Sequence, residues 1–147
     1  MARYFDHLNE TYPAGLFRRL AAMVYDLFLL AALFVLAGFI GVALTGGEAN
    51  EHPLFKILVW MVPFLFYGFF WHKTGQTLGM LAWRIRVQTL DGQPVNPRQT
   101  FLRLIGGLLS WSCLGLGYLW LKFDTEQRTW PDLLSRTQVV VVPQRKD

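Results

Sequence analysis

Polar and apolar positions fall into long blocks along the chain rather than a fine alternation. Leu20 to Leu44 is an apolar run of 25 residues that holds one ionisable side chain, Asp26. At 1.5 Å per residue that is about 37 Å of helix, more than the ~30 Å hydrocarbon core of a bilayer. It predicts a first membrane span over residues 18–44. The polar, turn-rich stretch Thr45-Gly46-Gly47-Glu48-Ala49-Asn50-Glu51-His52-Pro53 ends it. A second run, Leu54 to Trp71, predicts a span over residues 54–72, with Lys56 snorkelling at its start and a kink at Pro63. Tyr67 and Trp71 suit the aromatic belt at its far end. The third run, Leu104 to Leu121, is uncharged but broken by Gly106, Gly107, Ser110, Ser112, Gly115 and Gly117. Residues 103–122 therefore read either as one span or as two half-helices folded back into a re-entrant hairpin.

The polar connections carry finer patterns. In the loop 73–100, Leu78 to Trp83 predicts a short interfacial helix after the Gly75-Gln76-Thr77 turn. Arg84-Ile85-Arg86-Val87-Gln88 alternates, Asp91-Gly92 turns and Pro94-Val95 follows, which predicts a β-hairpin. In the tail 123–147, Thr125 to Pro131 reads as loop and Asp132 to Ser135 as a short helix or turn, while the β-branched Gln138 to Val142 predicts a strand able to pair with the hairpin. The expected class is an all-α membrane protein with a small cytoplasmic β-hairpin or sheet.

Composition supports the membrane assignment. Of 147 residues 53% are hydrophobic, too many for an ordinary soluble domain. The net charge of +4 belongs, in such a chain, to cytoplasmic loops rather than to a nucleic-acid face. Arg3, Arg18 and Arg19 precede the first span, and Lys73, Arg84, Arg86, Arg98 and Arg103 fill the long loop, which places the N-terminus and that loop in the cytoplasm. Lys122, Arg128, Arg136, Arg145 and Lys146 give the C-terminal segment the same preference, whereas a single third crossing would put it outside. The charge count favours the hairpin. Met1 to Pro13 is polar and lacks a signal-peptide pattern. No inverted repeat is visible, and Cys113, the only cysteine, excludes an intrachain disulfide.

Asp26 is the residue that asks for chemistry. An aspartate at mid-span costs about 2.5–3.5 kcal/mol on insertion scales, less near the interface, so a partner or a function should offset it. Arg19, Ala22 and Asp26 share one helix face at i, i+3 and i+7, yet Arg19 and Asp26 lie about 10.5 Å apart along the axis, too far to pair directly. Arg84, Arg86 and Arg103 are the partners available to Asp26, and Asp132 or Asp124 those available to Arg19. Two readings follow: buried ion pairs that set helix register, or a cation or proton site at Asp26. Gly75, Gln76, Thr77 and Gly79 form either an anion-holding turn or a turn that fixes the interfacial helix. His7, His52 and His72 have no ligand spacing, and the serines lack a nucleophile elbow, so no metal, cofactor or enzymatic activity is expected.

Arg19-x-x-Ala22-x-x-x-Asp26, the loop Gly75-Gln76-Thr77-Leu78-Gly79 with Arg84-Ile85-Arg86-Val87 and Asp91-Gly92, and Trp130-Pro131-Asp132-Leu133-Leu134-Ser135-Arg136-Thr137 occur in that order. Together they resemble the RDD family, covering Ala14 to Val142. The family's arginine and two aspartates map onto Arg19, Asp26 and Asp132. Pro131 stands where many relatives have histidine, so any proton step through that histidine is absent here. The resemblance implies a single multi-pass domain over residues 1–147, most often in a bacterial inner membrane. It also implies exchange of sodium or another alkali cation for protons, in a homo-oligomer because so few spans offer little surface for alternating access. The alternative is a non-transport accessory protein that docks a membrane partner or anionic lipid through its basic cytoplasmic face.

Overall fold

The computed structural model describes residues 11–142. Expectations resting on Met1 to Glu10, including Arg3 and His7, or on Arg145 and Lys146, lie outside the described residues. Strand β1 is Tyr12–Pro13, helix α1 Leu16–Leu44 and helix α2 Pro53–Lys73. Helix α3 is Leu78–Ala82, β2 Ile85–Thr89, α4 Pro97–Ser112, and α5 Leu116–Leu119 running into a 3-10 turn at Trp120–Lys122. Helix α6 (Trp130–Ser135) and β3 (Thr137–Val141) complete the chain.

Both expected spans form. The 29 residues of α1 and 21 of α2 are long and apolar enough to cross a membrane, and α2 runs through Pro63 without a break. His52 caps α2, its Nδ1 accepting from Leu54 N–H at 3.1 Å, and Pro53 occupies the first helical position, where its missing N–H costs nothing. Most side chains of this hairpin face outward, where lipid supplies the apolar contacts.

The third apolar segment bends by 105° between α4 and the α5 turn. Leu114 and Gly115 both take positive φ there, +59° and +80°. The sixteen residues of α4 reach only about 24 Å, short of the ~30 Å core. Sheet pairing decides the topology. Strand order is β1-β3-β2, with β3 antiparallel to both neighbours from Ile85↔Val141 to Thr89↔Thr137 and at Tyr12↔Val141. Because α1 leaves the sheet end and α2 returns to it, a third complete crossing would separate β3 from β1 and β2. Leaving and returning on the sheet side of the α1–α2 hairpin, the bent segment has the path of a re-entrant loop.

One sheet expectation, the hairpin, is corrected, and one, the pairing of the Gln138 to Val142 strand with β2, is met. Pro94-Val95 forms no strand; Thr89 N–H donates to Gln93 O at 2.9 Å, closing a tight turn, and the chain enters α4 through the Asn96–Gln99 capping box. The partner of β2 is β3 instead, supplied from beyond α4. Tyr12–Pro13 joins as an edge strand, where proline's missing donor is tolerated. The buried core sits at this end: Ile85, Val87, Val139 and Val141 on one sheet face pack with Ala14, Ala22, Trp71, Met80 and Val95.

Candidate functional site

The buried face of α1 presents Arg19, Ala22 and Asp26 inward, as their spacing requires. The two charges serve separate clusters. Arg19 Nη1 meets Asp132 Oδ2 at 2.6 Å, its Nε donates to Ala14 O at 2.9 Å, and its Nη2 donates to Gln127 O at 3.2 Å. Arg103, reaching from α4, places its Nη1 2.6 Å from Asp132 Oδ1 and 2.6 Å from Thr137 Oγ1. Its guanidinium lies over the Trp71 ring, 5.2 Å from the centroid. Thr129 N–H adds a third donor to Asp132, at 3.2 Å, so the carboxylate also caps α6.

This arginine–aspartate–arginine cluster is buried, with Arg19, Arg103 and Asp132 exposed by 4%, 8% and 1%. Burial alone would raise the Asp132 carboxyl, but the guanidinium groups of Arg19 and Arg103 beside it outweigh that and hold it below the ordinary carboxylate value. Two cations face one anion, and backbone carbonyls together with the Trp71 ring accommodate the excess positive charge. Mechanically the cluster ties α1, α4 and α6 together at the sheet. Arg19 Nη2 also lies 3.4 Å from Val139 O, which brings β3 into the same set of bonds. An open cleft of about 260 Å³ reaches Arg19 and Asp132 between Pro13, Gln127 and Gln138.

Asp26 is held by neutral donors. Thr77 O–H donates to its Oδ2 at 2.5 Å and Gly79 N–H to its Oδ1 at 3.0 Å. Among the described residues no basic side chain forms a salt bridge with it. Thr77 is the N-cap of α3 and accepts from Met80 N–H at 3.2 Å, so Asp26 holds the short helix by its first turn. Gly79 is required for this approach: a Cβ there would collide with the Ala22 carbonyl and stand 2.9 Å from Asp26 Oδ1. Gly75, at φ +70°, turns the chain so that its carbonyl accepts from Val87 N–H at 2.8 Å, while Gln76 Nε2 donates to Ile85 O at 2.9 Å. The glycine-rich loop thus fixes the short helix, and what it holds is the carboxyl group of the chain's own Asp26.

The pairings expected for Asp26 are corrected accordingly. Arg103 turns to Asp132, Arg84 is exposed beside β2, and Arg86 donates to Gln88 Oε1 at 2.7 Å. Burial lowers the Arg86 guanidinium below its ordinary value. Asp124 pairs with Arg128 at 2.8 Å, and that hydrogen bond holds its carboxyl down; it does not meet Arg19. Thr137, Trp71 and Gly79 were not singled out as partners of the charges. Thr137 and Gly79 had a signal in the motif segments, where Thr137 follows Asp132 by five positions and Gly79 follows Thr77 by two, while Trp71 reads only as a belt aromatic. Among the described residues no group of His, Cys, Asp and Glu is arranged to hold a metal ion.

No curated protein and no solved structure matches the chain. The RDD family model matches residues 13–136, a stretch that contains both clusters, the glycine-rich loop and the re-entrant segment, and the chain belongs to the RDD family.

Proposed function

We propose that this RDD protein is a non-transport accessory protein of the membrane. Its helical hairpin anchors it, its buried charges lock the sheet onto the helices, and the exposed rim of the sheet docks a partner protein. The observation that carries this reading is the use of Asp132: both oxygens are taken by Arg19, Arg103 and the Thr129 N–H, which leaves the family's second aspartate as a fastener. The sheet end is assigned to the cytoplasmic side of a bacterial inner membrane, because Lys73, Arg84, Arg98, Lys122 and Arg136 are exposed there, against Lys56 with Glu48 and Glu51 at the opposite end. The test is to reverse Arg84 and Arg136 to Glu and compare partner capture by crosslinking in native membranes. Folded yield should hold and the wild-type crosslinks should disappear; unchanged crosslinks in the variant would defeat the proposal.

A second reading, cation–proton exchange within a homo-oligomer, draws on Asp26 being held by Thr77 and Gly79 with no basic partner among the described residues. Proteoliposomes separate the two. Sodium-driven proton movement in the wild type that is lost in Asp26→Asn would favour exchange; no movement from folded protein would favour the accessory reading.

A further inference from the structure

Helix α2 carries a face, Phe64, Leu65, Gly68, Phe69 and His72, that is not closed by another element among the described residues. Together with Pro97 it lines an apolar groove of about 320 Å³. The i, i+1, i+4, i+5, i+8 spacing makes this one stripe about 12 Å long, running toward the sheet end. Gly68 gives the groove its depth. A Cβ there would meet only Thr100 Cγ2, at 3.9 Å, so the space above it is free. Phe101 of α4 packs edge-on against Phe64 with ring centroids 6.3 Å apart and holds the deep end.

The mouth has the opposite chemistry. The exposed His72 has its Nδ1 3.0 Å from Val95 O, which leaves Nε2 outward. The Lys73 ammonium is held over the Phe69 ring, 5.1 Å from the centroid, so it stays at the groove rather than swinging into solvent. Arg98, the residue after Pro97, is exposed on the first turn of α4. An apolar groove that ends beside three nitrogen-bearing side chains is complementary to one molecule class.

We propose that the groove between α2 and the start of α4 holds an acyl chain of one anionic phospholipid, with its phosphate met by Lys73, His72 and Arg98. The lipid comes from the leaflet on the sheet side. Its acyl chain fills the slot beside Gly68, and its headgroup bridges the end of α2 to the start of the re-entrant segment. The inference does not depend on what docks at the sheet rim.

The test is lipid retention by the detergent-purified full chain in native mass spectrometry, with phosphatidylglycerol and phosphatidylcholine of identical acyl chains. One phosphatidylglycerol should be retained per protein, preferred by about tenfold, since each basic side chain near an anionic lipid contributes a several-fold gain. Lys73→Gln with Arg98→Gln changes only exposed positions and should abolish the preference. Gly68→Leu, checked for folding by circular dichroism, should lose retention of both lipids. Equal retention of the two lipids by the wild type would overturn the proposal. So would retention that survives a folded Gly68→Leu, because the attraction would then be surface charge without a groove. If Gly68→Leu does not fold, the charge variant decides: a preserved preference overturns the proposal and a lost one supports it.

Discussion

The two ends of the molecule are held by different physics. At the loop end of the α1–α2 hairpin, Val35, Leu36, Phe39 and Ile40 are more than half exposed, and packing between the helices is concentrated where Gly41 receives the Phe55 ring. At the sheet end, Ile85, Val87, Asp26, Asp132 and Thr137 are almost wholly buried, and both carboxylates are met by specified donors. In the hairpin the bilayer supplies the apolar environment, so shape matters little. At the sheet end backbone and charge are removed from water, and every donor and acceptor must be met by the protein.

The sharpest way to break that contrast is Asp132→Asn. It keeps the side-chain shape but leaves two buried guanidinium groups without an anion, a loss of about 3–5 kcal/mol for a broken buried pair. The expected result is a large fall in folded yield and in the thermal midpoint measured in detergent. Phe39→Leu, at a position 71% exposed, should leave both nearly unchanged. Equal effects from the two substitutions would erase the distinction between the ends.

Acid should also act on the sheet end first. Because Asp132 is held below its ordinary value in the folded protein, the unfolded chain takes up the proton at a higher pH than the folded one. Its contribution is therefore fully present above the unfolded value, near pH 3.9, and is lost as pH falls through the folded value. Thermal midpoints measured downward from neutrality should fall with acidity in the wild type. Asp132→Asn should start lower and show a shallower decline. An identical decline in both proteins would assign acid lability to other carboxylates, with Asp124 the next to test.

The same contrast explains which features were legible in the sequence. Helices α1 and α2 are written as long apolar runs because the bilayer imposes length and hydropathy on each segment separately. The bend at residues 113–115 was visible as a run of Gly and Ser between charge-bearing flanks, and β3 as a run of valines. The pairing of β2 with β3 was legible too, from the alternation at Arg84 to Gln88 and the valine run, whereas the third strand was not, since β1 is two residues ending in proline. Charge partners were legible in part: Arg19 meets Asp132, one of the two carboxylates expected for it, while Asp26 is held by Thr77 and Gly79. A count of arginines favours an ion pair at Asp26, whereas the carboxylate leans toward the N-terminal end of α1, where α3 offers Thr77 and a side-chain-free Gly79. Arg103 was legible as a partner for a buried carboxylate, but its choice of Asp132 over Asp26 depends on the bent path of α4 and α5 that brings α6 beside it.

The smallest expected effect is the one that most sharpens the comparison. In Gly41→Ala a Cβ would sit 2.5 Å from Phe55 Cζ and 2.8 Å from its Cε1, which at first sight resembles a severe clash. The obstacle is the far end of a partly exposed ring, however, and lipid lies beside it rather than more protein. Rotating that ring away exchanges one set of apolar contacts for another, and replacing a glycine in the last turn of α1 by alanine gains part of the ~0.8–1 kcal/mol of helix propensity that a helix interior would give. The two effects should nearly cancel, giving a change in thermal midpoint much smaller than that of Asp132→Asn. Adding Phe55→Leu should then restore any remaining deficit. A Gly41→Ala protein as damaged as Asp132→Asn would mean that the hairpin is as rigidly packed as the sheet end, with the bilayer filling no slack.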